Sequence, residues 1–193
     1  MPYTDWIPVL DLIHDKKTSK ILEFGIGEGT RALVKNFGDV FSLEILDNKD
    51  WFQKMYDELK SNDNFGGLYI DAPELFAAHK KFVESAYPTP RGQNFQDERP
   101  SKLLLDILER TKAEIDYSQY QVFFVDAGVY LRGEIVNFVK QFKPRYILVH
   151  DTNGFEDYGY DLAQCEDYLY LNFQTCEGCD GTGLFIRKEP CEK

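Results

Sequence analysis

The sequence predicts an α/β fold: a seven-stranded, mostly parallel sheet with helices on both faces, closed by an antiparallel C-terminal hairpin. Three observations predict it. Short apolar runs of strand length alternate with helical apolar patterns through the first 150 residues. Gly25, Gly27 and Gly29 stand between the first such run and the first helical segment, where a tight strand-to-helix turn is needed. Several runs end in an acidic residue, at the strand ends where open sheets present their ligand contacts.

The elements follow in order. Residues 1–18 form an N-terminal helical region, with Asp5 placed to cap a helix from Trp6 to about His14 whose Trp6, Val9, Leu10 and Ile13 share one face. A strand over 20–24, a helix over 29–37, a strand over 40–45 and a helix over 49–59 come next, the last with Trp51, Phe52, Met55 and Leu59 on one side. Residues 66–70 read as a third strand running into Asp71. Three prolines and a glycine between 86 and 100 exclude continuous regular structure, so this stretch is expected to be a lid or acceptor loop, or else a plain connector. Tyr87 and Phe95 within it would lie against an acceptor or anchor the loop to the core.

The second half of the sheet begins after a helix over 101–115, with Ser101 as its expected cap and Leu104, Leu105 and Leu108 as its apolar face. A strand over 121–126 ends in Asp126, a helix covers 130–142, and a strand over 145–151 ends in His150 and Asp151. Strands over 168–174 and 183–188 flank a Cys/Gly-rich turn and supply the hairpin.

At 193 residues the chain is one domain, 1–193, long enough to bury a full core. With 33 acidic against 22 basic residues its net charge is −11, which repels a phosphate backbone and argues against a nucleic-acid substrate. No apolar run approaches the length of a membrane span and the first residues lack a signal-peptide pattern, so a cytoplasmic protein without membrane association is expected. Cys165, Cys176, Cys179 and Cys191 cluster near the C-terminus; only Cys176 and Cys179 have zinc-ligand spacing, so reduced thiols on a hairpin are favoured over structural zinc.

The glycine spacing selects the cofactor. A dinucleotide loop of the form G-x-G-x-x-G would need glycine at position 30, which is Thr30, whereas the chain reads E-x-G-x-G-x-G from Glu23 to Gly29. Glu44 follows Gly25 by nineteen residues at the end of the second strand, where an acidic side chain can accept both ribose hydroxyls. This pattern resembles motif I of the class I S-adenosylmethionine-dependent methyltransferases. The resemblance implies a Rossmann-like fold. It also implies that Glu23, Gly25, Gly27, Gly29 and Thr30 surround the methionine portion of S-adenosyl-L-methionine, with Glu44 on the ribose, Asp71 at the adenine and Asp126 bordering the cofactor. S-adenosyl-L-homocysteine is then the product.

Within that superfamily, Asp126-Ala-Gly-Val-Tyr-Leu-Arg-Gly-Glu-Ile-Val and, farther on, Val-His150-Asp151-Thr152-Asn153 resemble the small-molecule and sugar O-methyltransferases of the macrocin and cephalosporin-tailoring type. Those are generally divalent-metal enzymes, which implies Mg²⁺ or Mn²⁺ on Asp126 and Asp151, the alternative use of both carboxylates being helix capping. A metal-bound hydroxyl loses its proton more easily, and His150 can take that proton; otherwise His150 satisfies a strand-end hydrogen bond. The family position three residues after Asp126, a His or Lys elsewhere, is Val129 here, so the base role passes to His150, with Tyr130 and Arg132 expected at the acceptor. Catalytic residues are thus Asp126, His150 and Asp151, and the acceptor is a small molecule or carbohydrate. The alternatives are a metal-free amine N-methyltransferase and a catalytically silent binding protein. Whether the chain acts as a monomer or a homodimer stays open.

Overall fold

The computed structural model describes residues 6–45, 49–86, 100–127, 131–152, 166–174 and 181–189. Asp5, Tyr87, Phe95, nearly all of the 86–100 loop, Val129, Tyr130 and the four cysteines lie outside them. Seven strands form one sheet in the order β3-β2-β1-β4-β5-β7-β6. These are β1 Lys20–Phe24, β2 Asp39–Glu44, β3 Phe65–Tyr69, β4 Val122–Val125, β5 Tyr146–His150, β6 Tyr168–Phe173 and β7 Thr182–Arg187. β1 to β5 pair in parallel, and β7 inserts antiparallel between β5 and β6.

Both faces of the sheet are buried, which is why its central strands are almost wholly apolar. Along β4 the side chains alternate, Val122 and Phe124 toward one core and Phe123 and Val125 toward the other. Helices α3 (Pro73–Ala86), α4 (Ser101–Thr111) and α5 (Arg132–Val139) supply Leu75, Leu104, Leu108, Ile135 and Val139 to the Phe123 side. α1 (Thr30–Asn36) and the N-terminal segment close the Phe124 side with Leu33, Trp6, Val9, Leu10 and Ile13. α2 (Lys49–Leu59) packs Phe52, Met55 and Leu59 around Ile26 of the glycine loop.

Four local expectations are corrected. The N-terminal helix is a short 3-10 segment, Ile7–Leu12, with Pro8 in its first turn; bonds from Val9 N to Trp6 O and from Ile13 N to Leu10 O keep the tight pitch while burying the expected apolar face. Helix α3 was not expected, because its exposed Phe76 and its His79-Lys80-Lys81 run blur an apolar stripe that rests on Leu75 and Phe82. Ser101 does not cap α4: its hydroxyl donates to Glu134 Oε1 at 2.6 Å and ties α4 to α5. The helix expected over 130–142 is α helical only over Arg132–Val139 and tightens into a 3-10 turn at Lys140–Phe142.

Strand order reverses between β1 and β4, the point at which open parallel sheets take ligands beyond the C-terminal ends of their strands. The predicted site residues cluster along this edge.

Candidate active site

The glycine loop leaves β1 at Gly25, whose φ of 96° is strained for any residue with a Cβ. A Cβ there would also lie 3.1 Å from the Ala127 nitrogen, so the absent side chain lets the loop rest on the end of β4. Gly29 is needed for packing: an added Cβ would come within 2.6 Å of the Trp6 ring. Gly27 differs from both, since a Cβ there would meet nothing within 4 Å. Its open face is the side from which a ligand can approach the backbone.

Glu23 and Thr30 lie beneath the loop. The Thr30 hydroxyl donates to Glu23 Oε2 at 2.8 Å and accepts the Gly27 N–H at 2.9 Å, while Ser42 donates to the same carboxyl oxygen at 2.5 Å. Both side chains are buried, so they shape the loop from below. Burial pushes the Glu23 carboxyl up to about 8, against the lowering effect of the Ser42 and Thr30 hydrogen bonds, with the charges of Asp126 and Glu44 adding to the rise. At neutral pH Glu23 is therefore mostly a neutral acid.

Glu44 holds the far side of the loop. Its Oε2 accepts the Ile26 N–H at 3.1 Å and its Oε1 the Ile45 N–H at 2.9 Å, and the Ile26 carbonyl accepts the Trp51 indole N–H at 2.9 Å. The Ile26 backbone is thus held at both its N–H and its carbonyl. Asp71 stands exposed just past β3, one residue beyond the Ile70 N–H that donates to the Glu44 carbonyl.

The structure brings Asp126, His150 and Asp151 together, with one ligand-type atom from each lying within 4.8 Å of the others. His150 ends β5 with its Nδ1 3.0 Å from Asp126 Oδ1 and 3.4 Å from Asp151 Oδ1. A carboxylate oxygen only accepts, so this contact puts a proton on Nδ1. Asp151 departs from β5 in the left-handed region, φ 58°, a conformation costing on the order of 1 kcal/mol for a residue other than glycine.

Arg132 completes the group in a way that sequence reading missed. It was expected to meet an acceptor, yet its guanidinium is turned inward with the side chain 6% exposed. Nη1 donates to Asp151 Oδ2 at 2.6 Å and to the His150 carbonyl at 2.8 Å, and Nη2 lies 3.2 Å from Asp126 Oδ1. A cation at the first residue of α5 opposes the helix dipole, so the flanking carboxylates must hold it there. That mismatch of charge and helix end is the one sequence signal that could have found it. Neither Asp126 nor Asp151 caps α5: its N-cap is Leu131, with no side-chain bond.

The expected divalent metal can be tested against this arrangement. The ligand types suit a metal, but the bay between the carboxylates already contains a guanidinium, and Asp126 Oδ1 is engaged by both Arg132 and His150. A dication about 4 Å from that guanidinium would be repelled by roughly 8 kcal/mol at an effective dielectric of 20. With Arg132 in place the residues do not fit a metal ion.

No family model matches the sequence, and no curated protein does. Solved structures do match. An O-methyltransferase from Bacillus cereus in complex with SAH superposes with a TM-score of 0.62 at 16% identity, over 97% of this chain and 82% of that one. An RNA methyltransferase from Salinibacter ruber in complex with S-adenosyl-L-homocysteine gives 0.53 at 16% identity, over 100% and 95%. Aeropyrum pernix fibrillarin with natively bound S-adenosyl-L-methionine gives 0.55 at 11% identity, over 94% and 72%. The fold is that of the Rossmann-like methyltransferases, as the sequence predicts. Among the described residues no helix is long and apolar enough to cross a membrane.

Proposed function

We propose that this protein transfers a methyl group from S-adenosyl-L-methionine to a hydroxyl of a small molecule, with a sugar as the expected acceptor class. The observation that carries the reading is the union of two features at one crevice: a glycine loop with an open face at Gly27, and an Asp126–His150 pair at the adjoining strand ends. The likeness to the Bacillus cereus O-methyltransferase in complex with SAH supports it, and the sugar class rests on the macrocin-type resemblance of the Asp126 and His150-Asp151 segments.

The cofactor supplies an electrophilic methyl on a sulfonium. The open face at Gly27 would admit its methionine portion to the loop backbone, Glu44 would accept ribose hydroxyls, and Asp71 would border the adenine. His150 Nε2 would take the hydroxyl proton as the acceptor oxygen displaces S-adenosyl-L-homocysteine from the methyl group, the carbon–sulfur electron pair leaving with sulfur. Asp126 holds the imidazole in the tautomer that this step needs and stabilises the imidazolium that results. Arg132 keeps both carboxylates in position.

The net charge of −11 favours a neutral or cationic small acceptor over RNA, the substrate class named for some structural neighbours. The test is transfer of labelled methyl from S-adenosyl-L-methionine to panels of hexosides, phenols, amines and RNA. Transfer to a hydroxyl acceptor is expected. Transfer confined to amines would replace the reading with N-methylation, and tight S-adenosyl-L-homocysteine binding without any turnover would replace it with a binding role.

A further inference from the structure

We infer that Arg132 is the resident cation of this site, standing where a divalent metal would otherwise bridge Asp126 and Asp151. Three observations combine. The guanidinium reaches both carboxylates at once, 2.6 Å to Asp151 Oδ2 and 3.2 Å to Asp126 Oδ1, so one side chain does the bridging that a metal ion would do. It is almost fully enclosed, and its Nη1 is further fixed by the His150 carbonyl at 2.8 Å, so it is not a rim residue that swings aside at little cost. His150, the third member of the group, donates from 3.0 Å to the same Asp126 Oδ1 that the guanidinium approaches, so that oxygen is already engaged by two protein donors.

The charge count agrees. Two carboxylates and one guanidinium leave the bay with a single negative charge. A guanidinium also differs chemically from a metal. It orients carboxylates and does not acidify a hydroxyl by direct ligation, so proton removal falls to His150. Arg132 is thus a positioning residue, and the fold keeps the family's acidic strand ends while dispensing with their metal.

The inference concerns ion binding and is decided without turnover, so failure of the proposed methyl transfer does not decide it. The full chain, freed of metal by chelator, is titrated with Mn²⁺ while the free-ion electron paramagnetic resonance signal is followed. Wild type is expected to show no stoichiometric binding up to millimolar Mn²⁺. Arg132→Met, which vacates the bay and keeps the two carboxylates, is expected to bind one Mn²⁺ per chain at least about tenfold more tightly than wild type, and Asp151→Asn placed on top of it should abolish that gain. One Mn²⁺ bound at micromolar concentration by wild type overturns the inference, whether or not the variant folds. So does a folded Arg132→Met protein that gains no Mn²⁺ affinity.

Discussion

Thr30 and Glu23 share a 2.8 Å hydrogen bond beneath the glycine loop, and the same Thr30 hydroxyl accepts the Gly27 N–H at 2.9 Å. One buried acid therefore sets the loop's shape through a single hydroxyl. The arrangement works best when the acid is neutral, because a buried carboxylate with two hydroxyl donors is still short of the solvation it had in water.

That preference makes stability depend on pH. Glu23 has a carboxyl pKa of about 8 in the folded chain against 4.5 for the ordinary group. Between those values the folded chain holds a proton that the unfolded chain has released. The stabilisation is fully present below the lower value and is lost as pH rises through the upper one, with a slope of up to about 1.4 kcal/mol per pH unit. Chemical denaturation of wild type from pH 5 to 9 should show this decline. Glu23→Gln, which keeps an acceptor for Thr30 and Ser42, should flatten it and be the more stable protein at pH 9; parallel curves for the two would show that Glu23 is not the group responsible.

The two ends of the glycine loop should respond differently to alanine. At Gly25 the φ of 96° and the 3.1 Å approach to Ala127 are both incompatible with a Cβ, so Gly25→Ala should cost about 1–3 kcal/mol of stability. At Gly27 a Cβ meets nothing within 4 Å, so Gly27→Ala should melt within a degree or so of wild type. The same variant should weaken S-adenosyl-L-homocysteine binding by at least about tenfold, because the methyl fills the space a ligand would use. Calorimetry of melting and of binding on both proteins checks this, and unchanged affinity in Gly27→Ala would remove the cofactor from that face.

Much of the fold is legible in the sequence. The parallel strands were readable because burial on both faces makes them continuous apolar runs, as in Val122-Phe123-Phe124-Val125, and β1 is marked by the glycines that follow it. Helix α3 was not, because a helix covered on one side by few large residues and crossed in its middle by the His79-Lys80-Lys81 run leaves a weak periodic signal. The meeting of Asp126, His150 and Asp151 followed from strand-end logic, since ends of adjacent parallel strands must converge. The inward turn of Arg132 did not. It is a tertiary choice between solvent and two carboxylates, one of them nineteen residues away, and its one local sign is a cation at the first residue of α5.

His150 offers the sharpest test of the chemistry. Its Nδ1 is committed to Asp126 at 3.0 Å, so a base role rests on Nε2 alone. His150→Asn shortens the side chain and removes the ionisable ring. Methyl transfer should fall by about 10²–10⁴-fold, the range for loss of a positioned general base, while S-adenosyl-L-homocysteine affinity stays within about twofold of wild type. Asp126→Asn should act through the same ring. An asparagine can accept the Nδ1 proton or turn its amide toward the ring and favour the opposite tautomer, so transfer should drop by a smaller factor and the rate should depend on pH differently. If His150→Asn instead loses cofactor binding in step with activity, the ring supports the fold of the crevice and the proton goes elsewhere. If Asp126→Asn matches wild type in rate and pH profile, the Asp126–His150 pair is structural.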